Sequence, residues 1–98
     1  MHPGKTDIQI FEALGILQEE CAEAIVEVSK VRRFGFDNLH YKSGISHKEH
    51  LEQEVGDVLA MVDILVEQGV LDYTSLNSAK MRKKEKLQEW SSIYDSAK

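Results

Sequence analysis

The 98-residue chain is poor in the residues that break or staple a fold: one cysteine, one proline and six glycines. A lone Cys21 excludes an internal disulfide and fits a reducing, cytoplasmic setting. So few breakers favour long helices over many short strands. No apolar run approaches the ~18 residues that span a bilayer, so no membrane role is expected. The opening Met-His-Pro-Gly-Lys leads into no apolar segment that would make it a signal peptide. Basic charge is also short, with 12 Lys and Arg against 17 Asp and Glu, a net charge of -5. That balance argues against a general nucleic-acid polymer as partner, but leaves a small phosphate ligand open. A glycine-rich phosphate loop and a nucleophile elbow are both missing.

What is present is 42% hydrophobic and 30% charged, the composition of a globular chain. With no repeat or composition break, residues 1–98 read as one domain. A chain this short has difficulty burying a large core alone.

Three helices are expected, and no sheet. The first runs from about Asp7 to Phe34, opened by a capping box of Thr6 and Gln9 and closed by Gly35. Its apolar residues Ile10, Leu14, Leu17, Cys21, Ala24, Val28 and Val31 recur at steps of three and four. Cys21 on that seam reads as a small core residue. Ile16 and Val26 lie off the seam, so this helix is apolar on more than one side. Residues 35–46 form a long loop. The second helix opens with Ser46 as N-cap and Glu49 at N3, and Gly69 closes it. The third begins near Asp72 and carries the basic cluster Lys80, Arg82, Lys83, Lys84 and Lys86. The expected fold is all-α: three main antiparallel helices that complete a four-helix-bundle-like core by oligomerisation, as a homodimer or homotetramer.

Two carboxylate pairs carry the chemistry. Glu20 and Glu23 lie three residues apart on the first helix, and Glu54 and Asp57 on the second. Each pair shares a helix face, about one turn apart. At 100° per residue, Leu51, Val58, Met61 and Leu65 fall within about 60° of Glu54. Glu52, Gln53, Gly56, Asp63 and Glu67 take the wet face. Glu54 and Asp57 therefore sit inside an apolar face, where a bare carboxylate is costly without a partner or a metal. A solvated acidic face is the bland alternative. Four hard oxygen ligands suit Mg²⁺, or Mn²⁺ in its place, rather than zinc. Lys30, Arg33, Lys80, Lys83 and Lys84 can meet the phosphates of a metal-bound nucleotide. His47 and His50 project toward Glu54 and leave a di-iron or zinc centre conceivable. First-turn histidines are commonly exposed, however, and the first helix lacks the histidine of a paired Glu-x-x-His pattern.

Glu19-Glu20-x-x-Glu23 followed by Glu54-x-Gly56-Asp57 resembles the E-E-x-x-E…E-x-x-D signature of the all-α, MazG-like nucleoside triphosphate pyrophosphohydrolases. Ser29-Lys30-x-x-Arg33-Phe34-Gly35 and Leu51-Glu52-x-Glu54-x-Gly56-Asp57-Val58-Leu59-Ala60 are similar to its compact members, and the likeness covers about residues 10 to 86. The resemblance implies Mg²⁺-dependent hydrolysis of a nucleoside triphosphate to the monophosphate and pyrophosphate, a nucleotide-pool-cleaning activity. It places Glu20, Glu23, Glu54 and Asp57 as metal ligands and Glu19 as an outer-shell group or base, so that Glu19 and Glu20 are the catalytic candidates. Lys30, Arg33, Lys80 and Lys83 become phosphate contacts. Phe34, Phe36, Tyr41 and Trp90 are candidates for reading the base. The competing expectation is a non-catalytic helical dimerisation or regulatory module on the same fold.

Overall fold

The computed structural model describes residues 6–95. The reading of the first five residues lies outside them. Three α-helices make up the ordered framework: α1, Asp7–Phe34, α2, His47–Glu67, and α3, Tyr73–Trp90. The described residues contain no strand, only one antiparallel bridge between Leu39 and Ser46. No helix is long and apolar enough to cross a membrane.

Each helix begins where a side chain caps its free N–H groups. Thr6 Oγ1 accepts the Gln9 N–H at 3.1 Å while Gln9 Oε1 accepts the Thr6 N–H at 3.0 Å, which completes the capping box. Ser46 Oγ accepts from Glu49 N–H at 3.1 Å, and Asp72 from Ser75 N–H at 3.1 Å. Gly35 (φ 87°) and Gly69 (φ 78°) follow α1 and α2 in a left-handed conformation that side chains rarely adopt. The loop between α1 and α2 folds back onto the start of α2. Carbonyls of Asn38 and Phe36 accept the His47 and Lys48 N–H groups, both at 3.0 Å, so these helix-start donors are not orphaned.

α1 and α2 form an antiparallel hairpin. At one end the Gln68 amide donates to the Gln9 carbonyl at 3.5 Å; at the other, Phe34 stacks on His47 with ring centroids 5.6 Å apart. The buried core is small: Ala13, Met61 and Leu65, with Ile16, Leu17, Val70 and Leu71 against them. α3 turns away after Gly69 and makes only incidental contact with the other two helices. Its tie to α2 near the turn is the Tyr73 hydroxyl, which donates to the Asp63 carboxylate. The molecule measures 50 × 40 × 14 Å, one helix thick. Its radius of gyration is 16.9 Å, against about 13 Å for a compact chain of this length. A stable domain needs two packed layers around a core, and this chain supplies one.

The face that α1 turns to α2 differs from the expected seam. Ala13, Glu20 and Glu27 point inward, whereas Leu14, Cys21 and Val28, one residue further on, are exposed. The two stripes share Ile10, Leu17, Ala24 and Val31, and diverge at every second position. Cys21 is therefore an exposed thiol, not a core residue.

Candidate functional site

The hairpin interface changes character half-way along. Toward the α2–α3 turn it is apolar. Beyond Leu17 and Val58 it passes through Glu20, Glu54, Glu27 and His47, all half-buried or buried. Carboxylate oxygens of Glu20, Glu23 and Glu54 lie within 4.8 Å of one another, and this is the metal-competent group among the described residues. Helix geometry explains the meeting. Glu20 and Glu23 are one turn apart on α1, and the antiparallel packing sets Glu54 opposite them.

The group is electrostatically incomplete. Glu20 Oε2 and Glu54 Oε2 are shut off from solvent and have no hydrogen-bond partner. Burial first, then the negative charges of Glu23 and Asp57, push the Glu20 carboxyl above its ordinary range. Burial also raises Glu54, reinforced by the Glu23 carboxylate beside it and by the charges of Asp57 and Glu20. Three carboxylates this close need a shared proton or a cation between them. Hard oxygen donors converging from two rigid helices, with orphaned oxygens, fit Mg²⁺ or Mn²⁺.

The other expected site residues fall around this centre. Asp57 is exposed beside the three glutamates and acts on Glu20 and Glu54 through its charge. Glu19 is exposed on the α1 flank, and its charge also reaches Glu20. Lys30 pairs with the buried Glu27 at 3.2 Å. Arg33 is exposed, its guanidinium 5.2 Å from the Phe34 ring centroid. Lys80 and Lys83 are exposed on α3, which does not pack on the hairpin, so one chain does not bring them to the glutamates.

His47 is buried, at 5% exposure, with an unpartnered Nδ1. It sits away from the glutamate group, and so does His50, whose Nε2 lies 2.8 Å from the Ser43 hydroxyl. The His/carboxylate centre is therefore not assembled among the described residues. The burial of Glu27 and of His47 is not expected from the sequence, although projection turns His47 toward Glu54. The sequence carries a faint signal for the first, an i,i+3 Glu-Lys pair, and for the second, an aromatic residue just before the glycine that ends α1.

The flat hairpin has two unlike sides. Because the helices are antiparallel, positions one residue after the inward-facing ones fall on the same side of both. That side carries Leu14, Cys21, Ile25 and Val28 from α1 and Val55, Leu59, Val62 and Val66 from α2. Ile25 is 69% and Leu59 58% exposed, an apolar face that no described residue of the chain covers. The opposite side carries Glu19, Glu23, Lys30, His50 and Asp57, with the exposed Val26 and Ile64 among them. The glutamates thus open away from the apolar face.

No protein-family model, curated protein or solved structure matches the chain.

Proposed function

We propose that this chain is a divalent-metal-dependent nucleoside triphosphate pyrophosphohydrolase of the MazG-like type, working as a homo-oligomer. The observation that carries this reading is the meeting of Glu20, Glu23 and Glu54 within 4.8 Å across two helices. Two of the three hold a buried, unpartnered oxygen. A stability-only role leaves that arrangement unexplained, because it costs free energy until a cation fills it.

In this reading Glu20, Glu23 and Glu54 hold Mg²⁺, with Asp57 as a fourth carboxylate at the rim. When bound, such a cation neutralises charge on the triphosphate and polarises a water. Glu19, exposed beside Glu20, would be the group to accept a proton from an attacking water. Lys30 and Arg33 would offer positive charge about two to three turns beyond Glu23 on α1. Lys80 and Lys83 would serve a neighbouring copy, since α3 projects beyond its own hairpin. Water adds across the bond between the α and β phosphates, and the products are a nucleoside monophosphate and pyrophosphate. The bare apolar face and the one-helix thickness support pairing with a second copy, which would supply the missing layer.

The same apolar face would also suit a non-catalytic helical module. The test uses the full chain with a panel of ribo- and deoxynucleoside triphosphates and Mg²⁺, followed by phosphorus NMR. The expected result is monophosphate plus pyrophosphate. Diphosphate plus orthophosphate would contradict the proposed chemistry. No turnover of any nucleotide by a chain that still oligomerises would favour the binding module.

A further inference from the structure

The loop of residues 35–46 is fastened to the hairpin mainly by hydrogen bonds. Its large side chains Phe36, Leu39 and Tyr41 are exposed, so little apolar burial holds it. The loop closes on itself: the His40 N–H donates to the Ile45 carbonyl and the Gly44 N–H to the His40 carbonyl, both at 2.9 Å. Two further bonds run through histidine rings. His40 Nδ1 accepts the Lys42 N–H at 3.2 Å. His50, on α2, places Nε2 2.8 Å from the Ser43 hydroxyl. Against the loop lies His47, buried, with an Nδ1 that has no partner.

One of these bonds exists in a single charge state. Nδ1 of His40 accepts only while it carries no proton, so the ring is neutral with its hydrogen on Nε2. A second proton would aim an Nδ1–H at the Lys42 N–H, donor against donor. The Ser43–His50 bond survives protonation, because a charged His50 can donate to the hydroxyl oxygen. His40 is therefore the group whose charge decides the fastening. Its surroundings resist that charge. From α2, the His50 and His47 rings stand 5.1 and 6.2 Å away, centroid to centroid. From α1, Lys30 adds a fixed positive charge and Glu27 a negative one, and these two are already paired at 3.2 Å. On the loop itself, Tyr41 stacks on the ring at 5.1 Å and Lys42 follows in sequence. Burial, then Lys30, His50 and His47, hold the His40 imidazole below its ordinary value.

We infer that the loop of residues 35–46 is an acid-released latch: neutral His40 fastens it across the start of α2 and against His47, and a proton on His40 Nδ1 unfastens it. An open loop exposes the His40 ring to water, where the charged form is better solvated. The open form therefore takes up the proton more readily, and it gains population as pH falls through the ordinary histidine range. Opening also lets water reach the unpartnered His47 Nδ1, which lowers the cost of the open form. The buried core of Ala13, Met61 and Leu65 lies at the other end of the hairpin and does not take part. The latch needs neither a metal nor a nucleotide.

The test is amide exchange by NMR on the full chain, with metal chelated, from about pH 7.5 to about pH 5.5. It reads the protection of the Lys42, Gly44 and Lys48 amides, each relative to its intrinsic exchange rate at that pH. Wild type should lose loop protection below about pH 6.5, by up to about tenfold per pH unit for one proton. The Leu65 amide should not follow. Two variants separate the charge from the bond. His40→Asn offers a carbonyl oxygen near the place of Nδ1 that does not titrate, and should keep the loop protected across the range. His40→Ala removes the acceptor, and should leave Lys42 poorly protected already at neutral pH. In both, the acid step should vanish. Constant loop protection in wild type overturns the latch. So does an acid step that persists in either variant, because another group would then be the switch. Loss of protection at Leu65 in step with the loop would mean global unfolding, and overturns it as well.

Discussion

The two halves of the α1–α2 interface do opposite things with the same helix geometry. In one half, Ala13, Met61 and Leu65 exclude water and hold the pair together. In the other, Glu20, Glu54, Glu27 and His47 occupy the equivalent inward positions, four of their polar atoms buried without a partner. The first half is built for stability. The second gives stability up, and in the proposed reading it concentrates charge where a cation would be held. In the proposed reading, the ion and a second chain make up that deficit.

Four experiments can break or sharpen this contrast. The largest effect belongs to the apolar half. Leu65 is fully buried at the centre of the core, and Leu65→Ala should cost about 2–5 kcal/mol, enough to unfold much of the chain in thermal melting. A variant that melts like wild type would mean that the small core is not what holds the hairpin. The next effect belongs to the apolar face. Leu59→Asp puts a charge in the middle of the Val55, Leu59, Val62 and Val66 stripe without touching the hairpin interface. Sedimentation should show a shift toward single chains, with the metal affinity of the glutamates retained. If it stays fully associated, another surface makes the contact.

A smaller effect separates the halves by pH. Glu20 and Glu54 have raised folded-state values. The folded state therefore binds protons more readily than the unfolded one, and this contribution to stability falls as pH rises through the raised values. With metal chelated, melting temperature should climb as pH drops from neutrality toward about pH 5. His40 acts in the opposite sense. Burial and the nearby Lys30, His50 and His47 charges lower its value, so folding loses stability as pH falls through the ordinary histidine range. A melting series on His40→Ala should therefore show the carboxyl trend more steeply. A flat or falling profile in that variant would refute the account of the glutamates. The smallest effect is at the α2–α3 turn. The bond to Asp63 raises the Tyr73 phenol above its usual range. In Asp63→Asn, spectrophotometric titration should find Tyr73 ionising at lower pH, with melting hardly altered.

The helix starts were legible because their causes are local. Thr6 with Gln9, Ser46 with Glu49, and Asp72 with Ser75 set each start within three residues of sequence. Half of the candidate site was legible for a similar reason: an i,i+3 pair defines a helix face wherever the helix goes. The facing of α1 was not. Apolar periodicity marks Leu14, Cys21 and Val28 as strongly as any core, yet cannot say whether a stripe packs on the same chain or is left bare. The burial of His47 depends on Phe34, thirteen positions away across a loop, and helix projection does not include that contact. The placement of Lys80 and Lys83 depends on the angle of the turn at Gly69, which no local spacing encodes.

The central proposal, that the polar half of the hairpin binds a divalent cation, is tested most directly by thermal melting of wild type beside Glu54→Gln, each with chelator and then with Mg²⁺. Wild type should melt higher with Mg²⁺. Glu54→Gln removes the repulsion that Glu54 meets from Glu20, Glu23 and Asp57, so it should melt above wild type in chelator and respond little to the ion. A variant that melts lower than wild type in chelator, yet gains as much from Mg²⁺, would contradict the claim.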